Sequence, residues 1–494
     1  MHMSNSCLLS DGSLPKNVRG RLNSLFLWSI GVLLVAVAGC QPVDAPAPYG
    51  ALPSDRQLDW HKLQYYAFIH FGPNTFTDVE WGRGTENPEV FNPTELDARQ
   101  WARVIKAAGM EGVIITAKHH DGFALWPSSY STHTVRESAW KEGTGDVLRA
   151  LADACEEYGL KFGVYLSPWD RNHPKYGTDE YNDVFKSMLG EVLTEYGDVF
   201  EVWFDGANGE GPNGKKQVYD FPSFAEVVRE HQPNAVIFSD AGPDIRWVGN
   251  EEGHADVTNW STLNAGEFYP GIGGVNDQLL HGQEDGDTWL PTEVNTSIRP
   301  GWFYHADQDD KVKSLDRLID NWFASVGMNG NFLLNIPVDA RGLIHENDEK
   351  RLMELKAYLD EAFRDNLAPE GTIVATHTRG FRFLESFVVD SDLDSYWASK
   401  DNALEASIGV NFDRPTAVNT ILLQEYIPLG QRVTGFVVKA KQGDVWTEVA
   451  RGTTIGNRRI VRWPSLEADA ISVDLTGKAA LTIANMELYN GPER

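Results

Sequence analysis

From Tyr65 onward, short runs of consecutive apolar residues alternate with longer stretches whose apolar positions recur every three or four residues. The short runs include "YYAFIHFG" from Tyr65, "GVIITAKHH" from Gly112, "KFGVYLSPW" from Lys161, "VFEVWFDG" from Val199, "AVIFSD" from Ala235, "TWLPTEVN", and "NFLLNIPVD" from Asn331. The longer stretches include "PTELDARQWARVIKAAG", where Thr94 opens a helix and Gly109 ends it, then "TGDVLRALADACEEYG", "TDEYNDVFKSMLGEVLTEYG", "FAEVVREHQ" and "KVKSLDRLIDNWFASVG". Strands that are apolar throughout are buried on both faces, and amphipathic helices between them imply a parallel sheet covered on its outer side. Close to eight such units over about 300 residues predict a TIM-like (β/α)8 barrel. No Gly-rich phosphate-binding turn follows the first run, which disfavours a doubly wound sheet. From Leu367 the period drops to two and turn signals multiply, predicting an all-β sandwich of jelly-roll type. The expected division is a catalytic barrel over 54–366 and a β-sandwich over 367–494.

In a barrel the chemistry gathers at the C-terminal ends of the strands, so the residues closing each apolar run carry the information. His70 closes the first run; Lys118, His119, His120 and Asp121 close the second. Tyr165 lies in the third, which ends at Trp169; Asp205 closes the fourth, and Glu293 sits in "PTEVN". A metal is disfavoured at the His pair, because no third spaced ligand accompanies it and adjacent strand residues point to opposite faces. Asp205 as a helix N-cap is disfavoured as well, since "GANGEGP" follows and no helix starts there. Trp81 in "VEWGRG" and Trp302 in "RPGWFYH" are core aromatics or, flanked by glycine at a rim, platforms for the apolar face of a sugar. Carboxylates, histidines and tryptophans at one rim suggest glycoside hydrolysis, which needs one ionised carboxylate and one protonated one across the scissile bond. Asp205, at the tip of a core strand, is the candidate nucleophile. Glu251 in "RWVGNEEGHAD" and Glu293 are the candidate acids, and the sequence pattern leaves both open.

Composition adds compartment and partner. The chain of 494 residues has a formal net charge of -28 and no Lys/Arg-rich run in its body, which excludes a phosphate-tracking groove and disfavours nucleic acid. Residues 1–39 read as an export signal, with Lys16, Arg19 and Arg21 before the apolar "LFLWSIGVLLVAVA". "VAGC" resembles a bacterial lipobox, which would make Cys40 the lipidated N-terminus, tethered to the outer membrane by that lipid alone, with 40–53 as a Pro/Ala-rich linker; the competing reading is an ordinary signal peptide with an incidental cysteine. Of the other two cysteines, Cys7 leaves with the signal, and Cys155 sits in a helical pattern as a small apolar residue.

Taken together, "FIHFG", "DVEWGRG", "KHHDGFALWPS", "GVYLSPWD", "VWFDGANGEG", "IRWVGNEEG" and "IRPGWFYH" resemble glycoside hydrolase family 29, the retaining α-L-fucosidases, in order from Trp60 to Asp339. The resemblance implies an exo-acting enzyme with Asp205 as nucleophile and Glu251 as acid/base. It implies that His70, Glu80, Trp81, His119, His120, Tyr165 and Trp302 hold fucose, and that catalysis needs no cofactor. "GNE" and "SIRPGWFYH" resemble the subfamily acting on α-1,3/1,4-linked fucose of branched glycans. A departure is "GNEEG", in which Glu252 stands beside Glu251 although successive residues cannot both face a substrate. The competing expectations are broader specificity that includes α-1,2 linkages, and a catalytically silent fucose-binding lipoprotein. The C-terminal segment resembles discoidin-like carbohydrate-binding modules through "DSDLDSYWAS" and "MELY". Such modules often hold a structural calcium, with Asp390, Asp392, Asp394 and Glu487 as candidate ligands and a solvated acidic turn as the competing reading.

Overall fold

The computed structural model describes residues 43–493, so the export signal, Cys7 and Cys40 lie outside the described residues. Within it, eight parallel strands close into a barrel: β1 (Tyr65–Ile69), β2 (Gly112–Lys118), β3 (Lys161–Leu166), β4 (Val199–Trp203), β5 (Val236–Ser239), β6 (Ile245–Trp247), β7 (Thr292–Ser297) and β8 (Gly330–Asn335). β1 pairs with both β8 and β2, which completes the closure. Every residue of β1, β2 and β7 is buried, as expected of strands with core on both sides. Alternate residues serve two different cores. Tyr65, Ala67 and Ile69 of β1 pack outward against the helices, whereas Tyr66 and Phe68 join Tyr165, Trp203, Phe238 and Leu333 inside the barrel.

The outer layer is α1 (Ala98–Ala107), α2 (Val147–Tyr158), α3 (Glu180–Glu195), α4 (Phe221–His231), α5 (Leu315–Ser325) and α6 (Glu346–Ala362). Asp97, Asp146, Asp220 and Ser314 accept backbone N–H groups in the first turns of α1, α2, α4 and α5, satisfying donors that have no partner within the helix. The expected start at Thr94 is therefore corrected: Asp97 is the cap, and the Glu95 N–H is taken by the Arg341 carbonyl at 2.8 Å, outside the helix.

The βα alternation breaks once. β5 passes to β6 through 240–244 with no helix, and β6 passes to β7 through 248–291, an excursion carrying the helix Asn276–His281 and a two-stranded ribbon, Thr262–Leu263 with Thr288–Trp289. β6 spans only Ile245–Trp247, too few residues to show a period, so it is not visible as a strand in "IRWVGNEEG". The excursion begins where β6 ends and carries Glu251 across the rim.

The C-terminal segment is an antiparallel all-β module of β9 (Thr372–Ala375), β10 (Trp397–Ala398), β11 (Glu405–Glu425), β12 (Val433–Gln442), β13 (Val445–Gly452), β14 (Arg459–Gly477) and β15 (Thr482–Tyr489). Its order is β10-β15-β11-β14-β12-β13, with β9 added to β11. Short strands were expected, but β11 and β14 are long. They bend where the register shifts between Asn411 and Thr416 and between Val418 and Thr420, and Pro415 and Pro464 fall in these breaks. Ala45–Arg379 and the chain from Phe383 pack as one compact unit. The module grips the excursion after β6: Thr454 Oγ1 accepts the Asn259 N–H at 2.9 Å, Gln431 Oε1 accepts the Ser261 N–H at 2.8 Å, and Arg459 Nη1 donates to the Val257 carbonyl at 2.9 Å.

The four residues named for calcium are not gathered. Among the described residues no group of three or more His, Cys, Asp or Glu side chains is placed to hold a metal ion. Asp390 accepts from the Asp392 N–H (2.9 Å) and the Ser395 hydroxyl (2.7 Å), and Asp392 accepts from the Asp394 N–H (3.0 Å), which makes the stretch a self-satisfied acidic turn. Glu487 instead accepts from Asn485 and Tyr489 on β15.

Candidate active site

The strand ends converge on a cavity of about 160 Å³ lined by His70, Glu80, Trp81, His119, His120, Tyr165, Asp205, Glu251 and Trp302, together with Phe68, Trp203, Ala207 and Asn295. All nine of the sequence-derived residues outside the Glu293 alternative are thus brought together. Glu293 is not. It is fully buried inside the barrel and receives the Trp203 indole N–H at 2.7 Å, one layer beneath the cavity. Alternation explains this: Glu293 and Asn295 share the inward face of β7, and only Asn295 reaches the rim. Lys118 and Asp121 also stay out of the cavity. Lys118 is buried against Asp170 (3.2 Å), and Asp121 accepts the Phe123 N–H (2.7 Å).

Asp205 lies two residues beyond Trp203, the last residue of β4. Its Oδ2 accepts the Tyr165 hydroxyl at 2.9 Å and its Oδ1 accepts the Ala207 N–H at 2.8 Å, so the carboxylate is fixed from two sides. Gly206 is required beside it, because a Cβ there would lie 2.1 Å from Asp240 Oδ2 and 2.4 Å from the Gly271 nitrogen. Glu251 stands at the open side of the cavity and accepts the Trp302 indole N–H at 3.2 Å. Partial desolvation raises its pKa above the ordinary carboxyl value, with the negative charges of Asp205 and Glu80 adding and the Trp302 hydrogen bond opposing. Its neighbour Glu252 points away, 3.6 Å from His254.

The three histidines are neutral. Burial lowers His70 to about 3 and His120 to about 4, and it holds His119 well below its ordinary value. His70 Nδ1 pairs with Asn335 Oδ1 at 2.8 Å; the amide oxygen only accepts, so the ring donates there and turns an accepting Nε2 to the other side. His120 Nδ1 pairs with Ser167 Oγ at 2.8 Å, and its Nε2 lies 3.7 Å from Asp205 Oδ2. The expectation that His119 and His120 face opposite ways fails, since both follow the end of β2, where strand alternation no longer applies; their ring centroids are 4.1 Å apart.

Glu80 ties two walls together. It accepts the backbone N–H groups of Trp302 (2.9 Å) and Phe303 (3.3 Å) and pairs with His305 Nε2 at 2.6 Å. Burial works against a charge on His305, but the hydrogen bonds to Asp78 and Glu80 outweigh it and raise the pKa. Trp81 is 58% exposed and meets the His120 ring edge-on, with centroids 5.7 Å apart. Besides Ala207 in the turn after Asp205, the lining residues missed from sequence are Phe68, Trp203 and Asn295. Each lies two residues from a named position, on the same strand face, so stepping back by two from His70 and Asp205 would have found the first two.

A TIM-like barrel whose C-terminal rim sets two carboxyls among aromatic walls and neutral imidazoles has the architecture of a glycoside hydrolase. The sequence profile of the Alpha-L-fucosidase family matches residues 54–362. Alpha-L-fucosidase 1 of Arabidopsis thaliana is 43% identical over 85% of this chain and 83% of its own length. A solved structure of a putative alpha-L-fucosidase from Bacteroides thetaiotaomicron has a TM-score of 0.84 at 38% identity, covering 90% of this chain and 99% of that one. A glycoside hydrolase 29 fucosidase of Ruminococcus gnavus, solved in complex with fucose, has a TM-score of 0.85 at 29% identity, covering 91% and 97%. The chain belongs to glycoside hydrolase family 29, the α-L-fucosidases.

Proposed function

We propose that the protein is an exported, retaining exo-α-L-fucosidase that removes α-1,3/1,4-linked fucose from branched oligosaccharides, with Asp205 as nucleophile and Glu251 as acid/base. One observation carries the reading of the site: Asp205 and Glu251 share one small cavity, the first fixed by two hydrogen bonds and the second with a raised pKa. In the first step the Asp205 carboxylate attacks the anomeric carbon while the glycosidic C–O bond breaks, and Glu251 gives its proton to the leaving oxygen. In the second, the Glu251 carboxylate takes a proton from water, whose oxygen attacks the same carbon and releases Asp205. His70, His119 and His120, being neutral, can accept hydrogen bonds from sugar hydroxyls without adding a positive charge that would compete for Asp205. Glu80, Trp81, Tyr165 and Trp302 supply the remaining wall.

The linkage preference rests on "GNE" and "SIRPGWFYH", the segments that bring Glu251 and Trp302 into contact. Incubation with Lewis a or Lewis x trisaccharide should release fucose. Turnover of 2′-fucosyllactose at a comparable rate would instead establish the broad-specificity alternative, and no turnover of any fucoside would establish the silent binder. Export rests on residues 1–39, and a lipid on Cys40 on "VAGC". Metabolic labelling with palmitate, lost in Cys40→Ala, tests the anchor.

A further inference from the structure

The cavity stands on a second pair of carboxyls. Residues 201 and 203 alternate onto the inward face of β4 and Asp205 continues the spacing just past its end, so Glu201, Trp203 and Asp205 are stacked up the barrel axis, one layer each. Glu201 and Glu293 are both fully buried and are linked through shared donors: the Trp60 indole N–H reaches Glu201 Oε2 and the Tyr66 hydroxyl, and that hydroxyl donates to Glu293 Oε2. Glu293 accepts the Trp203 indole N–H at 2.7 Å and the Tyr66 hydroxyl, which fills both of its oxygens with donors. Glu201 Oε2 accepts the Trp60 indole N–H at 3.1 Å, but Glu201 Oε1 is buried without a donor from any other side chain. Among the described residues, the side chains that hydrogen-bond to the pair are Tyr66, Trp60 and Trp203, none of them a cation. Two bare charges in a dry interior with no cation are strongly disfavoured, whereas a carboxylic acid donating to a carboxylate satisfies the orphaned oxygen and leaves a single charge.

We propose that Glu201 and Glu293 hold one proton between them, carried on Glu201, and that the ionised Glu293 is a positioning residue that fixes the Trp203 indole as the floor of the fucose pocket. Trp203 lines the cavity, stacks on Phe238 at 3.9 Å, and lies 5.3 Å from the Tyr165 ring, whose hydroxyl binds Asp205. The indole is therefore held by π-contact on one face and by a charge-assisted hydrogen bond at its nitrogen, and these together set its tilt under the sugar. The pair touches neither substrate nor the reacting atoms. Its role is preorganisation of the layer above it.

The inference rests on the reading of this cavity as the fucose site, and the experiment separates the two. Competitive inhibition of the wild-type protein by L-fucose, with L-fucose still bound by Asp205→Ala, sustains the site on its own. Glu201→Gln mimics the protonated acid and keeps a donor toward Glu293, so its inhibition constant for L-fucose and its KM should stay within about threefold of wild type. Glu293→Gln replaces the carboxylate by an amide that cannot accept both donors, so the inhibition constant and KM should rise by about tenfold or more, with kcat changed less. Equal effects of the two variants, or the reverse asymmetry, would overturn the proposal. If Glu293→Gln does not fold, infrared difference spectra decide between wild type and Glu201→Gln at neutral pH. A carboxylic-acid C=O band present in the wild type and missing from the variant is expected, and its absence from the wild type would overturn the assignment.

Discussion

Two carboxyl pairs occupy one barrel, separated by the layer that holds Trp203, and they are opposites. At the rim, Asp205 and Glu251 stand on different segments beside an open cavity, each with its own hydrogen-bond donors. Below, Glu201 and Glu293 are buried in a dry interior and share the donors Trp60 and Tyr66. Glu201 and Asp205 even belong to the same strand end, four positions apart on the same face. What would separate the proposed reactive pair from the proposed structural one is therefore neither residue type nor strand. Access to water and substrate decides it, together with whether the two acids are held apart so that one can ionise while the other keeps a proton. A third arrangement sharpens the point. Lys118 and Asp170, buried beside the histidines, are of opposite sign and satisfy each other directly.

The largest effect should come from the rim. Asp205→Ala is expected to lower kcat by roughly 10³-fold or more while L-fucose still binds, because only the covalent step loses its nucleophile. Retention of more than a tenth of the rate would remove Asp205 from that role. Glu251→Ala should cost roughly 10² to 10⁴ on Lewis-type trisaccharides and far less on aryl fucosides with good leaving groups, with azide restoring turnover. The same pattern in Glu293→Ala would reverse the assignment of the two pairs.

Lys118→Met, which leaves Asp170 buried without its partner, should destabilise the fold by about 3–5 kcal/mol in denaturant titrations. The folded fraction should keep its KM, since Lys118 does not reach the cavity; a changed KM at unchanged stability would contradict that placement. The smallest effect concerns pH. Glu251 must be protonated to act as acid, and its pKa is raised, so kcat/KM should fall as pH rises through that raised value. The Trp302 N–H favours the ionised form of Glu251, so Trp302→Phe should raise that pKa further and move the alkaline limb to higher pH. A shift to lower pH would show that the hydrogen bond does not act on the titrating group.

Much of this was legible along the chain because it depends on neighbours in sequence. Apolar runs and helical periods carried the barrel, and the end of a run marked Asp205 and His70 as rim residues. Other features escaped the pattern for identifiable reasons. Ile245–Trp247 is too short to show a period, Thr94 sits in a loop whose N–H partners come from beyond β8, and the length of β11 and β14 is hidden by the prolines at their bends. Glu201 was hidden inside the very stretch that pointed to Asp205, since an acid in an apolar run has no partner visible in one dimension.

The alternation of strands and helices, the change to period two after Leu367, and the placement of an acid at the tip of a core strand all follow from local backbone geometry and burial, and so can be read along the chain. Which glutamate shares a cavity with Asp205, which way His119 and His120 turn, and that Glu201 and Glu293 share buried donors emerge only on folding. Those facts depend on barrel closure and on an excursion from β6 gripped by the distant β module, and contacts between segments far apart in the chain leave no period to read.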